Sequence, residues 1–428
     1  MRPVVQNIGT AKLFCIPTDR FKSEYFSLRF TVPLRAETAQ ENTLITAVLG
    51  RGTKRFPTKL ALNRHLDELY STAVSTRNQR LGDMQCIGLA ADFLGARYVG
   101  GGDGLLPKIV SIMAELLYEP ALQNGGFSKE YVESEKSNLR DAIRAAINNP
   151  RSYALSKCRK LLCGGEPYAL SLFGEEETVA DITATTLTER YYALLHEIVP
   201  TFFYVGSADP VKVAALVKAQ FPRFKAQPSP YTAIVKKEEG QPSLAEEEMP
   251  LCQGKLSIGF RGDVSLGHRL APAMLLLNEI YGGSPASKLF LNVRERRSLC
   301  YHCSSSVDLY KGVLFANAGM TPENRTLTEE AMLQEFSAIA KGNISKTELE
   351  AAHHSLAHSY RQVFDNPAAL SDFYAGRDLI GSPDIVENFR DAVSRVTRDD
   401  VVEAAAHVRQ GAAFFLKGTL DGEEGEEC

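Results

Sequence analysis

The chain has 428 residues, of which 44% are hydrophobic and 23% are charged. This length exceeds one ordinary core and fits two domains of roughly 200 residues, each able to bury most of its apolar surface. A formal net charge of −4 without a basic stripe argues against nucleic-acid binding, and no apolar run approaches the roughly 20 residues that span a bilayer.

The N-terminal sequence predicts a protein that is not exported. It lacks an apolar segment followed by a small-residue cleavage site. The eight cysteines are scattered without the spacing of a disulfide framework, which is typical of free thiols in a reducing compartment. We therefore expect a cytoplasmic protein that binds proteins or peptides, with no nucleic acid and no membrane among its partners.

Hydrophobic periodicity predicts alternating strands and helices in the first half of the chain. Strands are predicted at 11–17, 25–33, 72–79, 84–93 and 201–207. Helices are predicted at 38–50, 58–70, 105–118, 127–150, 151–163, 186–197 and 209–220. The helix from Phe127 to Pro150 is the clearest, because Ser128 is a good N-cap and Asn-Asn-Pro ends it.

Composition divides the chain near its middle. Residues 223–250 contain several prolines, a Lys-Lys-Glu-Glu run and a Glu triplet, which is typical of an interdomain linker. This predicts an N-terminal domain at 1–222 and a C-terminal domain at 251–428. The glycine-rich segment 99–104 lacks the residues of a phosphate loop and predicts a flexible loop, and the acidic C-terminal tail predicts a solvated end.

Two pairs of segments repeat at about half the chain length. Gly282–Ser306 contains a copy of Thr58–Thr76, with matching Lys, Leu, Leu and Asn residues 229 positions apart. Phe202-Phe203 and Gly206 recur as Phe414-Phe415 and Gly418, 212 positions later. The repeats predict an α+β fold of two homologous layered domains, each an antiparallel-rich sheet covered by helices.

The duplicated plan resembles the pitrilysin and insulinase type of zinc metallopeptidase, whose halves close like a clam. That family carries an inverted zinc motif, H-x-x-E-H, before a Gly-Thr. Counting back from Gly52-Thr53 places the motif positions at Thr43, Thr46 and Ala47, and the third ligand position, seven residues after a helical Glu, falls on Ala142. These side chains cannot bind zinc, so the resemblance implies a chain without catalytic residues, metal or cofactor.

The family's arginine and tyrosine pair, R-x-x-x-x-x-[AGC]-Y, is intact as Arg294 and Tyr301. In active relatives this pair binds the substrate backbone, and guanidinium and phenol groups are suitable donors to a peptide carbonyl. The resemblance therefore implies that Arg294 and Tyr301 bind substrate. The alternative is that Arg294 belongs to a solvated helix face and Tyr301 to the core.

Four phrases, LNRHLDELYSTAVST, GFSKEYVESEKSNLRDAI, YGGSPASKLFLNVRERRSLCY and FDNPAAL, resemble a bacterial branch of this family that lacks the zinc motif. That branch is associated with 5-aminopentanol modification of elongation factor P and is usually paired with a zinc-bearing member. The resemblance implies a hetero-oligomer with a zinc-bearing homologous subunit, which together encloses a peptide or unfolded protein. The alternative is a stand-alone or homodimeric peptide-binding or scaffold protein.

Two other patterns could hold a metal or carry redox chemistry. His354 and His358 are spaced as zinc ligands on a helix, but no Glu lies between them. Cys300 and Cys303 form a single C-x-x-C, and alternation along a strand predicts that they lie on opposite faces. We expect neither pattern to form a site.

Overall fold

The computed structural model describes residues 2–99, 104–221, 231 and 233–420, apart from the side chain of Glu197. Most of the glycine-rich segment, residues 222–230 and 232, and the acidic tail lie outside this part of the chain. The chain divides into unit 1 (Met1–Ile143, Leu170–Thr232 and Gln362–Ile385) and unit 2 (Arg144–Ala169, Ala233–Arg361 and Val386–Cys428). Each unit therefore contains one segment from the other half of the sequence, whereas the boundaries at 222 and 250 remain a prediction.

The strands of unit 1 are β1 (Val4–Ile8), β2 (Ala11–Pro17), β3 (Ser23–Pro33), β4 (Ala73–Leu81), β5 (Met84–Leu94), β6 (Leu122–Gln123), β7 (Gly126–Phe127) and β8 (Thr201–Gly206). Six of them form a sheet in the order β1-β2-β8-β3-β5-β4, and β6 pairs with β7. The predicted strands are confirmed, and β1, which has an exposed and weakly apolar sequence, was missed.

The strands of unit 2 are β9 (Ser243–Met249), β10 (Gly254–Gly262), β11 (His302–Asp308), β12 (Val313–Met320) and β13 (Val408–Gly418). They form a sheet in the order β11-β12-β10-β13-β9. Strand β9 lies within the predicted linker. Its Glu-rich sequence fits an edge strand because alternate residues remain exposed to water.

The α-helices are α1 (Ala36–Leu49), α2 (Lys59–Glu68), α3 (Leu106–Tyr118), α4 (Lys129–Ile147), α5 (Pro150–Leu162), α6 (Ala184–Glu197), α7 (Pro210–Gln220), α8 (Ala271–Asn278), α9 (Arg325–Ala340), α10 (Lys346–Val363), α11 (Pro367–Leu379), α12 (Val386–Ser394) and α13 (Arg398–Ala406). A π-helix spans Leu289–Arg296. Among the described residues, none of the helices has both the length and the apolar composition needed to cross a membrane.

The two sheets share one topology, which confirms the predicted duplication. In unit 1, β3 pairs antiparallel with β5 and β8, and β8 pairs parallel with β2. In unit 2, β10 pairs antiparallel with β12 and β13, and β13 pairs parallel with β9. The repeated glycines have a common cause, because a Cβ on Gly206 or Gly418 would collide with neighbouring atoms. The edge strands β4 and β11 occupy equivalent positions.

Strand β3 shows why the central strands have long buried runs instead of strict alternation. Phe26 and Leu28 belong to the main apolar core of unit 1, together with residues from α1 and α3. The other face of β3 carries buried Arg29, whose Nη1 lies 2.7 Å from Asp372 Oδ1 on α11. Because helices cover both faces of the sheet, neither face of β3 meets water.

Helix α5 is fixed to the unit 2 sheet by apolar contacts and by a buried ion cluster. Cys158 and Leu162 of α5 belong to one core cluster with strand residues of β12 and β13. Just after α5, Glu166 accepts a hydrogen bond of 2.7 Å from Arg261 and lies 2.7 Å from Lys311 Nζ. Hydrogen bonds and charge from these two cations outweigh burial, so the pKa of Glu166 is below its ordinary value.

Replacing Glu166 with Gln is expected to lower the free energy of unfolding of unit 2 by about 3–5 kcal/mol, because buried Arg261 and Lys311 would lose the carboxylate that they share. The lowered pKa makes this stabilisation complete above the ordinary carboxyl value of 4.5, and it is lost as pH falls through the lower folded pKa. Urea unfolding at several pH values measures both effects.

The matched control is Glu248→Gln, which removes an exposed pair with Lys417 and should change stability little. If both substitutions lowered the free energy of unfolding equally, the buried cluster would stabilise the protein no more than an exposed ion pair does, which would contradict the prediction.

Candidate functional site

The π-helix Leu289–Arg296 presents Arg294 toward solvent. Leu289 and Val293 are fully buried and hold the opposite side of the helix. The Arg294 guanidinium lies 4.7 Å from the ring centre of Phe290, and its Nε lies 3.7 Å from Glu295 Oε1. With 39% of its side chain exposed, Arg294 can still donate to a ligand.

A left-handed turn connects this helix to the edge strand β11. Ser298 has φ 50°, and the N–H of Leu299 donates to Val293 O at 3.2 Å across the helix end. This bond spans one residue more than the closing bond of the Schellman motif, in keeping with the wider turn of the π-helix that it ends. The Tyr301 N–H then donates to Gly319 O at 2.8 Å, so the chain reaches the edge of the sheet immediately after the turn.

The turn brings Arg294 and Tyr301 to one pocket. The pocket has a volume of about 350 Å³ and is lined by Arg294, Glu295, Ser298, Leu299, Cys300, Tyr301, Thr321 and Asn324. Tyr301 is 56% exposed, so the alternative that it belongs to the core is wrong. The pocket thus contains a permanent cation and a phenol that can both donate to a carbonyl oxygen.

Cys300 and Cys303 do not lie on opposite faces, contrary to the sequence expectation. Both are buried, and β11 begins only at His302, so strand alternation does not apply to Cys300. The Cys303 thiol donates to Leu289 O at 3.0 Å. Interaction with Cys303 and the charge of Arg294 lower the pKa of the Cys300 thiol, although burial opposes them.

The prediction of free thiols is confirmed at six cysteine positions. Six cysteines are free and buried: Cys15, Cys86, Cys158, Cys163, Cys300 and Cys303.

The zinc-motif positions have structural roles in unit 1. Thr43, Thr46 and Ala47 lie on α1. The Thr43 hydroxyl donates to Leu172 O at 2.7 Å and accepts from Asn78 at 2.8 Å, and Thr46 is buried and donates to Thr43 O at 2.8 Å. The Thr43 hydroxyl thus joins α1 to two neighbouring segments, whereas the Thr46 hydroxyl bonds within the helix.

Ala47 lines a polar pocket of about 530 Å³ in unit 1. Helix α4 contributes Glu135 and Asn138 to this pocket, whereas Ala142 is not among its lining residues. The carboxylate of Glu135 accepts a hydrogen bond from Arg51 Nε. Arg51 Nη2 donates to Ser134 Oγ at 2.7 Å. The helical Glu from which the count to Ala142 starts is Glu135, so the carboxylate at this pocket is the starting residue of the count and not its end.

The charge balance of this pocket opposes metal binding. Its lining includes Arg51 and Lys59 but a single acidic residue, Glu135, which is already paired with Arg51. A divalent cation would need several anionic or imidazole donors and would be repelled by the adjacent guanidinium. Within the described part of the chain, no group of three His, Cys, Asp or Glu residues could hold a metal ion.

The histidines of α10 do not form a cluster of that kind. His354 and His358 are both exposed on the helix surface. The neighbouring His353 has its Nε2 at 3.0 Å from Val396 O, which gives it a structural role.

Comparison with known proteins relates this architecture to one peptidase family. Residues 181–356 match the family model described as the peptidase M16 inactive domain. Over 404 residues, covering 94% of this chain and 95% of the relative, the chain is 28% identical to the probable inactive metalloprotease YmfF of Bacillus subtilis (strain 168).

Solved structures share the fold of this chain. A conserved protein from Enterococcus faecalis V583 superimposes with a TM-score of 0.90 and 24% identity, covering 98% of this chain and 99% of that chain. A peptidase M16 inactive domain from Pseudomonas fluorescens does so with a TM-score of 0.79 and 19% identity, over 98% and 99% of the two chains. The fold is that of the M16 peptidases. The matched family model and YmfF are both described as inactive.

The left-handed turn yields a stability prediction. Replacing Ser298 with Gly should raise the free energy of unfolding by up to about 1 kcal/mol, and replacing it with Val should lower it by about 1–2 kcal/mol, because only Gly adopts positive φ without strain. Thermal or urea unfolding of the two variants measures the difference. Equal stability of the Gly and Val variants would contradict the left-handed conformation of residue 298.

Proposed function

We propose that the chain is a catalytically silent, peptidase-like subunit that binds a peptide and pairs with a zinc-bearing homologue. In this proposal the homologue supplies the metal and the attacking water. This chain supplies Arg294 and Tyr301, which donate to the carbonyl oxygen of the bound peptide. The two proteins together form a peptide-processing chamber.

The observation that carries the proposal is that the two pockets are lined by different chemical groups. The pocket of unit 1 contains Ala47, where the resemblance places a metal ligand, and an Arg51–Glu135 ion pair occupies its wall. The pocket of unit 2 retains an exposed guanidinium and an exposed phenol. Both exposed groups are hydrogen-bond donors suited to a peptide carbonyl oxygen.

Peptide binding is supported by the sheet edges beside the pockets. Strand β4 is at the edge of the unit 1 sheet, and Val74, Ser75 and Thr76 line the 530 Å³ pocket. Strand β11 is at the edge of the unit 2 sheet and follows Tyr301 directly. An edge strand offers backbone N–H and C=O groups to an extended peptide, which can add to the sheet as a further strand.

The resemblance to the zinc-free bacterial branch extends the proposal to elongation factor P modification. Deleting the gene and measuring the mass of intact elongation factor P tests this extension. Loss of the 5-aminopentanol group is the expected result. An unchanged mass would remove the pathway from the proposal and leave the peptide-binding role intact.

Arg294→Ala and Tyr301→Phe test the proposed role of the donor pair. Each variant is combined with the zinc-bearing homologue of the same organism, and turnover of an internally quenched peptide is measured. We expect turnover to fall by about 10²-fold for Arg294→Ala and at least about tenfold for Tyr301→Phe, since each removes a donor to the carbonyl oxygen.

Arg296→Ala is the matched control, because Arg296 is on the same helix but does not line the pocket and donates to Asn292 Oδ1 at 2.9 Å. If the Arg294 and Tyr301 variants kept full peptide turnover, these residues would not be donors to the substrate carbonyl oxygen. Light scattering that finds only a homodimer or monomer, with no homologue co-purifying, would favour the stand-alone scaffold instead.

A further inference from the structure

A second group of basic side chains lies on the other face of β11. Lys255 on β10 and His302 on β11 are both register partners of Gly319 on β12. A Cβ built on Gly319 would lie 2.7 Å from His302 Nδ1 and 3.1 Å from Lys255 Nζ. The ammonium and the imidazole therefore converge over a backbone position that has no side chain of its own.

Arg151 adds a third basic group from the first turn of α5. Its guanidinium donates to Ser304 Oγ at 2.8 Å, and Ser304 follows His302 by two residues on β11. Residues two apart on a strand share a face, so Arg151 lies over the same side of the sheet as His302. The N-terminus of α5 adds the positive end of the helix dipole to this group.

Among the described residues, Arg151 and Lys255 have only neutral hydrogen-bond partners. Lys255 Nζ donates to Gln253 Oε1 at 2.9 Å, and Arg151 donates to a hydroxyl. The Nε2 of His302 is buried and has no hydrogen-bond partner. Burial and the charges of Arg151, Lys255 and Arg294 lower the pKa of His302 to about 4, so the ring is neutral at pH 7.

The pKa of Lys255 is also lowered, by burial and by Arg151. No carboxylate is among the groups that act on either residue. Like charges gathered without a counter-ion are unfavourable, and a bound anion would relieve the repulsion and accept hydrogen bonds from all three side chains.

The position of this group on an edge strand indicates where the anion would come from. Tyr301 lines the Arg294 pocket, whereas the next residue, His302, lies beside Lys255 over Gly319, so the two side chains take different sides of the edge. A peptide that paired with β11 would also alternate its side chains between those two sides. One side chain would then point toward the Arg294 pocket and the next toward the basic group.

We propose that Arg151, Lys255 and His302 form a carboxylate-binding site that takes an acidic side chain of a peptide paired with β11. This assignment rests on the proposed peptide-binding function and names its substrate class, namely peptides with Asp or Glu at alternate positions. Arg151 and Lys255 supply charge, and neutral His302 donates through one ring nitrogen.

The test compares two fluorescein-labelled peptides that differ only by Glu against Gln at every second position. Their affinities for the full-length protein are measured by fluorescence anisotropy. The Glu peptide should bind at least about tenfold more tightly, as expected for charge-assisted hydrogen bonds. Arg151→Gln and Lys255→Met should each abolish most of that preference. Lys346→Met is the matched control, because Lys346 is 89% exposed on α10, and it should keep the preference.

Equal binding of the two peptides would overturn the carboxylate site while leaving peptide binding intact. If neither peptide binds, the proposed function fails, and acetate titrated against the His302 imidazole by NMR decides the site by itself. Acetate should then raise the pKa of His302, and the absence of any shift would overturn the assignment. Displacement of the Glu peptide by inorganic phosphate but not by acetate would assign the site to phosphate groups and overturn the carboxylate class.

Discussion

The left-handed turn at Ser298 is the constraint on which the candidate site depends. It ends the π-helix within a single residue and sends the chain into β11, so Arg294 and Tyr301 meet at one pocket although they are seven residues apart. Hydrogen bonds on both sides of the turn, from Leu299 to Val293 and from Tyr301 to Gly319, fix this geometry in the backbone. The side chains at the pocket can therefore vary without changing where their Cα atoms lie.

The two units show what such variation does to one fold. Their sheets have the same topology, and each has an edge strand beside a polar pocket. In unit 1 the wall contains the Arg51–Glu135 pair, in which the carboxylate is neutralised by a guanidinium. In unit 2 the guanidinium of Arg294 has only a long contact with Glu295 and remains open to the pocket. Function on this fold is thus decided by a few side chains rather than by the architecture.

The sequence predicted most of the fold because the physical signals were local or repeated. Ser128 and the Asn-Asn-Pro segment marked the boundaries of α4, although the Ser128 hydroxyl makes no capping hydrogen bond, and the recurring Phe-Phe and Gly positions indicated the duplication. Interactions between distant segments were not predictable in this way. Strand β9 is held by pairing with β13 and by hydrogen bonds from α5 to Glu247. The contact of Arg51 with Glu135 joins the segment after α1 to α4, and the approach of Cys300 to Cys303 depends on where β11 begins. The basic group of Arg151, Lys255 and His302 comes from three separate elements and leaves no motif.

Native mass spectrometry of the chain co-expressed with its zinc-bearing homologue tests the central claim most directly, because one spectrum reports both stoichiometry and metal content. The account predicts a complex with one copy of each protein and a single zinc ion, retained by the homologue when the two are separated. Zinc bound stoichiometrically to the isolated chain, or the absence of any complex between the two proteins, would contradict it.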